Sequence, residues 1–181
     1  MIQNGYRIFA TFLLSIPLSF LFMAKNGFSA DRLVIGSIET VAVSIGKNTT
    51  KSVDLRLKAK VDTGADTSSL HARKVKLFHR DGQEFVKFFI PTNGPINGNE
   101  EEIEALLVKK GRVKSSDGDA EGRYFVEATI CAGKVSIPIL LSLNDRSGMR
   151  YPMLLGRKFL KDQYIVDVSR QFVLGSPTCS F

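Results

Sequence analysis

Residues 53–61 alternate without a break: Val53, Leu55, Leu57, Ala59 and Val61 are apolar, and Asp54, Arg56, Lys58 and Lys60 are charged. A period of two places the first set on one face of a β-strand and the second on the other, so the segment reads as a strand with a core behind it and water in front. It runs directly into Asp62-Thr63-Gly64-Ala65-Asp66. A carboxylate delivered there, on a turn whose glycine admits close backbone approach, has two chemistries open to it. It can accept the N–H groups of its own turn, as structural aspartates do. Or it can activate water, provided a second carboxylate lies close enough for the pair to share one proton.

The rest of the chain is also β-rich. Residues 33–45 are apolar and β-branched, with a break at Gly36-Ser37 and a polar loop after them at 46–50. Further strands are expected over 85–90, 124–131 and 135–143, the last two joined by a turn at 132–134; residues 103–113 fit strand or helix by periodicity, and the interruption at Gly111 favours strand. The stretch 91–99 reads as a loop, and Ser115-Ser116-Asp117-Gly118-Asp119 as a hairpin tip, Asp-Gly being a strong turn signal. A short helix is expected over 158–163, followed by a closing strand carrying Tyr164, Val166 and Val168. Together these predict one all-β, barrel-like domain over 31–181 with little helix.

Residues 1–30 read as an export signal. Arg7 precedes an apolar run over 8–23 that contains Pro17 and is followed by small and polar residues. The run falls short of the ~20 residues of a spanning helix, which favours a signal-peptide core over an uncleaved amino-terminal anchor, the alternative reading. The domain is therefore expected to be periplasmic or otherwise exported, with membrane contact only if the leader stays attached. In an oxidising compartment Cys131 and Cys179 can pair; Cys131 equally fits a buried thiol in an apolar strand.

Lys and Arg number 25 against 18 Asp and Glu, a net charge of +7, of which Arg7 and Lys25 lie in the leader. The basic residues are scattered and interleaved with acids, so no nucleic-acid partner is expected. No His-Glu-x-x-His occurs, His71 and His79 lack a neighbouring ligand cluster, and no glycine-rich loop ends in Lys-Ser or Lys-Thr. The expectation is a protein without metal or other cofactor. His71 is expected to pack or hydrogen-bond behind the active turn.

Far downstream of the aspartate turn comes Leu154-Leu155-Gly156-Arg157, ahead of the expected helix. This combination resembles the retropepsin-like aspartic proteases, and most closely a bacterial family of retropepsin-like proteins often labelled ATP-dependent zinc proteases. The resemblance rests on residues 58–72, on Val113-Lys114-Ser115-Ser116-Asp117-Gly118, and on Leu143-Asn144-Asp145-Arg146 with Met149, Met153 and Arg157. It spans roughly residues 53–174.

What the resemblance implies is a single-lobe acid-protease β-barrel with one short C-terminal helix, acting as a homodimeric aspartic endopeptidase on peptide or protein substrates. Asp62 would be the catalytic aspartate, Thr63 would hydrogen-bond across the dimer, and Gly64 would help position substrate backbone. Asp66 and Arg157, with Ala65 between the glycine and the acid, would tie the active turn to the helix, as a bidentate pair can. The hairpin tipped by Ser115, Ser116, Asp117 and Gly118 would be the flap, with the 91–99 loop as the other choice. Only one Asp-Thr-Gly occurs in 181 residues, so a two-carboxylate site requires a symmetric dimer. A non-catalytic peptide-binding module of the same fold is the rival reading. A third follows from the association of relatives with ligases that add glutamates to proteins: a peptidase that trims glutamyl tails.

Overall fold

A computed structural model describes residues 31–45, 53–91, 100–114 and 120–181. The expected leader, the 46–50 loop, the 92–99 part of the second loop and the flap tip Ser115, Ser116, Asp117 and Gly118 all lie outside the described residues.

Twelve strands and one short helix are described. β1 (Leu33–Gly36) and β2 (Ile38–Ile45) are separated by Ser37, at the expected break. β3 (Val53–Val61) is the alternating strand, and its side chains divide as the period of two requires: Leu55, Leu57, Ala59 and Val61 are buried while Arg56, Lys58 and Lys60 are exposed. β4 (Ser69–His71), β9 (Ala120–Ala132), β10 (Val135–Asn144) and β11 (Met153–Leu155) complete a ring with β2 and β3. In pairing order it runs β10-β4-β11-β3-β2-β9 and closes through the β9–β10 hairpin, giving a six-stranded barrel. Val41, Val43, Ala59, Val126, Ile130, Leu141, Met153 and Leu155 fill its interior. Burying each large side chain of that set contributes about 1.5–3 kcal/mol, and closure leaves few strand edges open.

β8 (Lys109–Lys114) extends the sheet beyond the barrel by pairing with the first part of β9. β5 (Arg73–Arg80), β6 (Gln83–Pro91) and β7 (Glu100–Leu106) form a separate antiparallel sheet. The single strand expected over 103–113 is therefore two strands in two sheets. The switch occurs where Leu107 N–H donates to Glu84 O of one sheet and Val108 N–H donates to Phe125 O of the other. Alternation cannot reveal such a change of partner, because both sheets bury the same kind of face. Nor does periodicity mark β5: five of its eight residues are Arg, Lys or His, and they find Glu100 and Glu104 of β7 and Glu84 of β6 only across the folded sheet.

The helix α1 (Arg157–Leu160) is shorter than the expected 158–163 and begins one residue earlier. β12 (Tyr164–Asp167) pairs in parallel with β1, and Val168 lies outside it, exposed. Glu39, fully buried, holds this end of the molecule together. Its Oε1 accepts the N–H of Gly36 at 2.8 Å and of Val173 at 2.9 Å, and its Oε2 that of Leu174 at 3.2 Å. Burial, with the Glu39 carboxylate adding to it, pushes the Tyr164 hydroxyl up to about 12. Cys131 and Cys179 form a disulfide that fastens the C-terminal segment to β9, deciding between the two readings of that pair.

Candidate active site

β3 ends at Val61, and the next residue is caught between two neighbours: Val61 N–H donates to Ser37 O at 3.0 Å and Asp62 N–H to Leu155 O of β11 at 2.9 Å. The backbone then turns, with Ala65 N–H reaching back to Asp62 O. The half-exposed Asp62 side chain folds over this turn, its Oδ1 accepting Gly64 N–H at 2.9 Å. A Cβ on Gly64 would lie 3.2 Å from that same oxygen. The glycine's φ is not in the left-handed region; what it supplies is room for the carboxylate.

The second motif supports the first. Gly156 N–H donates to the buried Ser68 Oγ at 3.1 Å, and the first two N–H groups of α1, those of Arg157 and Lys158, donate to Ala65 O and Asp66 O. The turn thus satisfies amides at the start of the helix that have no partner within it. From the helix side, Arg157 Nη1 donates to Thr63 O at 3.0 Å and to Gly64 O at 2.6 Å. Asp62, Thr63, Gly64, Ala65, Asp66 and Arg157 are therefore one hydrogen-bonded unit.

Within it, the bidentate Asp66–Arg157 pair is not formed. Arg157 Nη2 stands 3.7 Å from Asp66 Oδ1, because its guanidinium is occupied by the two turn carbonyls, and Lys158 Nζ takes Asp66 Oδ2 at 2.9 Å. The hydrogen bond from Lys158 lowers the Asp66 pKa below the ordinary carboxylate value, with the charges of Lys158, Arg157 and Lys109 acting the same way against a small desolvation cost.

Three further residues complete the surroundings. Ser68 carries two connections, since its carbonyl also accepts both the N–H and the Oγ–H of Ser142 on β10. Arg146, in the loop joining β10 to β11, is only 7% exposed, and its Nε donates to Tyr151 O at 3.3 Å. Burial pushes its guanidinium pKa down and the neighbouring charge of Arg123 adds to that, while the Asp62 carboxylate opposes both. His71, at the end of β4, is 0% exposed, and its Nδ1 accepts the Arg146 N–H at 2.8 Å. A buried Arg and a buried His in apolar surroundings leave no periodic mark; only their membership in the motifs over 58–72 and 143–146 singles them out.

The charge of Lys109 thus acts on Asp66 and that of Asp62 on Arg146, while Arg123 acts on Arg146; Lys109 and Arg123 belong to the β8–β9 hairpin whose tip was the expected flap. A groove of about 600 Å³ on β9 and β10, lined by Glu127, Thr129, Pro138, Ile139 and Phe181, contains none of these residues. Among the described residues no three His, Cys, Asp or Glu side chains converge as a metal site.

A family model described as RimB-like, retropepsin-like aspartic endopeptidase RimB, matches residues 36–177. A probable alpha-L-glutamate ligase of Shewanella pealeana is 38% identical over 122 residues, covering 66% of this chain and 26% of that protein. A protein of the same name from Desulfotalea psychrophila is 34% identical over 119 residues, with the same shares. The chain spans about a quarter of the length of these curated relatives. Among solved structures, the crystal structure of Lpg0085, a Legionella pneumophila protein of unknown function, aligns with a TM-score of 0.60 at 28% identity over 78% of this chain and 98% of that one.

Proposed function

The chain belongs to the RimB-like family of retropepsin-like aspartic endopeptidases, and on that footing we propose that it hydrolyses peptide bonds at a site built from Asp62 of two copies in a homodimer. The observation that carries this reading is the Asp62 turn itself: a half-exposed carboxylate at a strand end, held by Gly64 N–H and clamped from the helix by Arg157. Such rigidity suits a group that must meet its symmetry mate at hydrogen-bonding distance.

In the proposed reaction one Asp62 is ionised and its mate protonated. The ionised carboxylate takes a proton from water as the water oxygen bonds to the scissile carbonyl carbon. The protonated mate donates to the carbonyl oxygen. The tetrahedral intermediate then collapses: one of its hydroxyls returns a proton to the mate, the C–N bond breaks, and the amine leaves with the proton the first carboxylate had accepted. Thr63, exposed beside Asp62, is proposed to bridge the two chains, and the β8–β9 hairpin to close over an extended substrate. The disulfide and the leader's composition favour an exported, periplasmic protein.

A second reading concerns substrate. The positive charges of Lys158, Arg157 and Lys109 acting on Asp66 in the turn suit an acidic peptide, and the full-length relatives carry the name of a glutamate ligase. Removal of glutamyl residues from protein tails fits both observations.

The test uses the full chain, wild type beside Asp62→Asn, incubated with a mixed peptide library and with poly-glutamate between pH 4 and 8, with and without chelator, and with sedimentation to give the oligomeric state. Chelator-resistant cleavage that falls about 10²–10⁴-fold in Asp62→Asn is the expected result. Cleavage retained by Asp62→Asn, or abolished by chelator, overturns the mechanism. A dimer that cuts nothing favours the peptide-binding module, and a monomer that cuts overturns the shared site.

A further inference from the structure

His71 is buried at the end of β4, and its bonding requires one protonation state. Nδ1 accepts the Arg146 N–H at 2.8 Å, so the ring proton belongs on Nε2. Nε2 is buried and has no hydrogen-bond partner among the described residues. A protonated imidazole would carry hydrogen on both nitrogens. Its Nδ1–H would then face the Arg146 N–H, donor against donor, and the contact would be lost.

We propose that His71 is a positioning residue whose neutral imidazole holds the Arg146 loop, which leads into β11 and so to the Leu155 carbonyl that accepts Asp62 N–H, and that protonation of His71 releases this loop and sets an acid limit on activity. The proposal rests on the hydrolytic reading given above and adds to it a residue and a pH dependence.

The charged groups facing the ring come from each element packed against it. Asp145, in the β10–β11 loop, places Oδ1 3.6 Å from Nδ1, where a protonated ring could find a new acceptor. Arg146 belongs to the same loop, Arg73 to β5, and Glu100, paired with Arg73 at 2.6 Å, to β7. Burial is the main influence and pushes the imidazole below its ordinary value; Arg73 and Arg146 act with it, Asp145 and Glu100 against it. The ring therefore takes up its proton at lower pH than an ordinary histidine does. On charging, it exchanges the Arg146 N–H for the Asp145 carboxylate, whose Oδ1 holds the loop through Ser147 N–H at 2.9 Å. Both changes fall on the segment that carries the buried guanidinium, itself tied down by the Tyr151 carbonyl. A shift of about 1 Å in the support of the reacting carboxylate costs on the order of 10²-fold in rate.

The experiment compares wild type, His71→Phe and His71→Asn in the full chain by kcat/KM from pH 4 to 8, with a thermal melt for each. Phe keeps the ring shape without an acceptor; Asn offers an acceptor near the Nδ1 position and does not titrate. His71→Phe is expected to lose on the order of 10–10²-fold at pH 7, and His71→Asn to recover most of that loss. Below the ordinary histidine value of about 6.5 the wild type falls more steeply than His71→Asn, and this difference separates the contribution of His71 from that of the Asp62 pair. Equal acid limbs in wild type and His71→Asn, or a folded His71→Phe as active as wild type, overturn the proposal.

Nitrogen NMR of the wild-type ring needs neither folded variants nor peptidase activity. It should show the proton on Nε2 at pH 7, and the Arg146 amide signal should move as His71 titrates. A proton on Nδ1, or a fixed Arg146 amide through that titration, overturns the proposal whether or not the chain cleaves peptides.

Discussion

Gly156 lies against the backbone of Thr67 so closely that a Cβ at position 156 would stand 2.6 Å from the Thr67 carbonyl carbon and 2.7 Å from its oxygen. Neither atom can yield as a flexible side chain would. The contact packs the second motif directly against the segment that follows the Asp62 turn, and Gly156 N–H reaches Ser68 Oγ in the same place. Gly156→Ala should therefore force strand and turn apart, costing about 1–3 kcal/mol and lowering peptidase activity through the displaced turn. Urea unfolding of the variant beside wild type measures the first effect, and cleavage of a common peptide the second.

Arg157 is exposed, and its contribution should appear in activity more than in stability. One guanidinium nitrogen serves the carbonyls of Thr63 and Gly64 while another faces Asp66. Lysine is a point donor without that fork. Arg157→Lys is expected to melt close to wild type and to lose about ten-fold in kcat/KM as the turn loosens. A variant with unchanged kinetics would show that Lys158 and the helix N–H groups suffice.

Glu39 accepts three backbone N–H groups while fully buried. Glutamine has the same shape but must turn an NH₂ toward at least one of those donors. Glu39→Gln should cost about 1–3 kcal/mol, chiefly by loosening residues 172–174 from the β1–β2 corner. Hydrogen exchange at Val173 and Leu174 should rise before exchange in the barrel strands does.

The Cys131–Cys179 disulfide closes a loop of sequence separation 48. In the chain-entropy account its loss costs about 4 kcal/mol. Replacing both residues with serine, or reducing the wild type, should lower the urea midpoint accordingly while leaving the Asp62 turn intact. Loss of activity under native conditions by the reduced protein would show that the tether also serves the site.

His71 should also make folding pH-dependent. Its pKa in the native state lies below the ordinary value, so below about pH 6.5 the unfolded chain binds the proton more readily. Stability is complete above that point, falls as the pH drops, and levels once the native ring also protonates. Urea midpoints measured from pH 8 to 4 should show this fall, and His71→Asn should remove it.

A barrel-like all-β domain and the place of Asp62 at a strand end were legible in the residues for a local reason, whereas the retropepsin-like character came from the resemblance that the assembled motifs carry. Alternation over 53–61 decides which face of the strand is buried, and Asp-Thr-Gly marks where the strand must turn; both depend on neighbours in the chain. The Asp66–Arg157 pairing was half legible. The two residues do come together, but the choice of Arg157 for carbonyls and of Lys158 for the carboxylate follows from where the helix begins, one residue earlier than expected. The split of 103–113 between two sheets was not legible, since strands that bury one face look alike whichever sheet they join.

By itself, then, the sequence determined what is periodic or covalent: an all-β domain, one aspartate turn per chain, and two cysteines free to pair. Only the tertiary structure decided what depends on distant partners. It closed β10 onto β9 to make a barrel, joined Cys131 to Cys179, set Glu39 against three amides, two of them far along the chain, and buried Arg146 and His71 against each other. The physical reason is that burial of a charged or titratable side chain is decided by the hydrogen bonds waiting for it, and those are supplied by residues that meet only once the chain has folded.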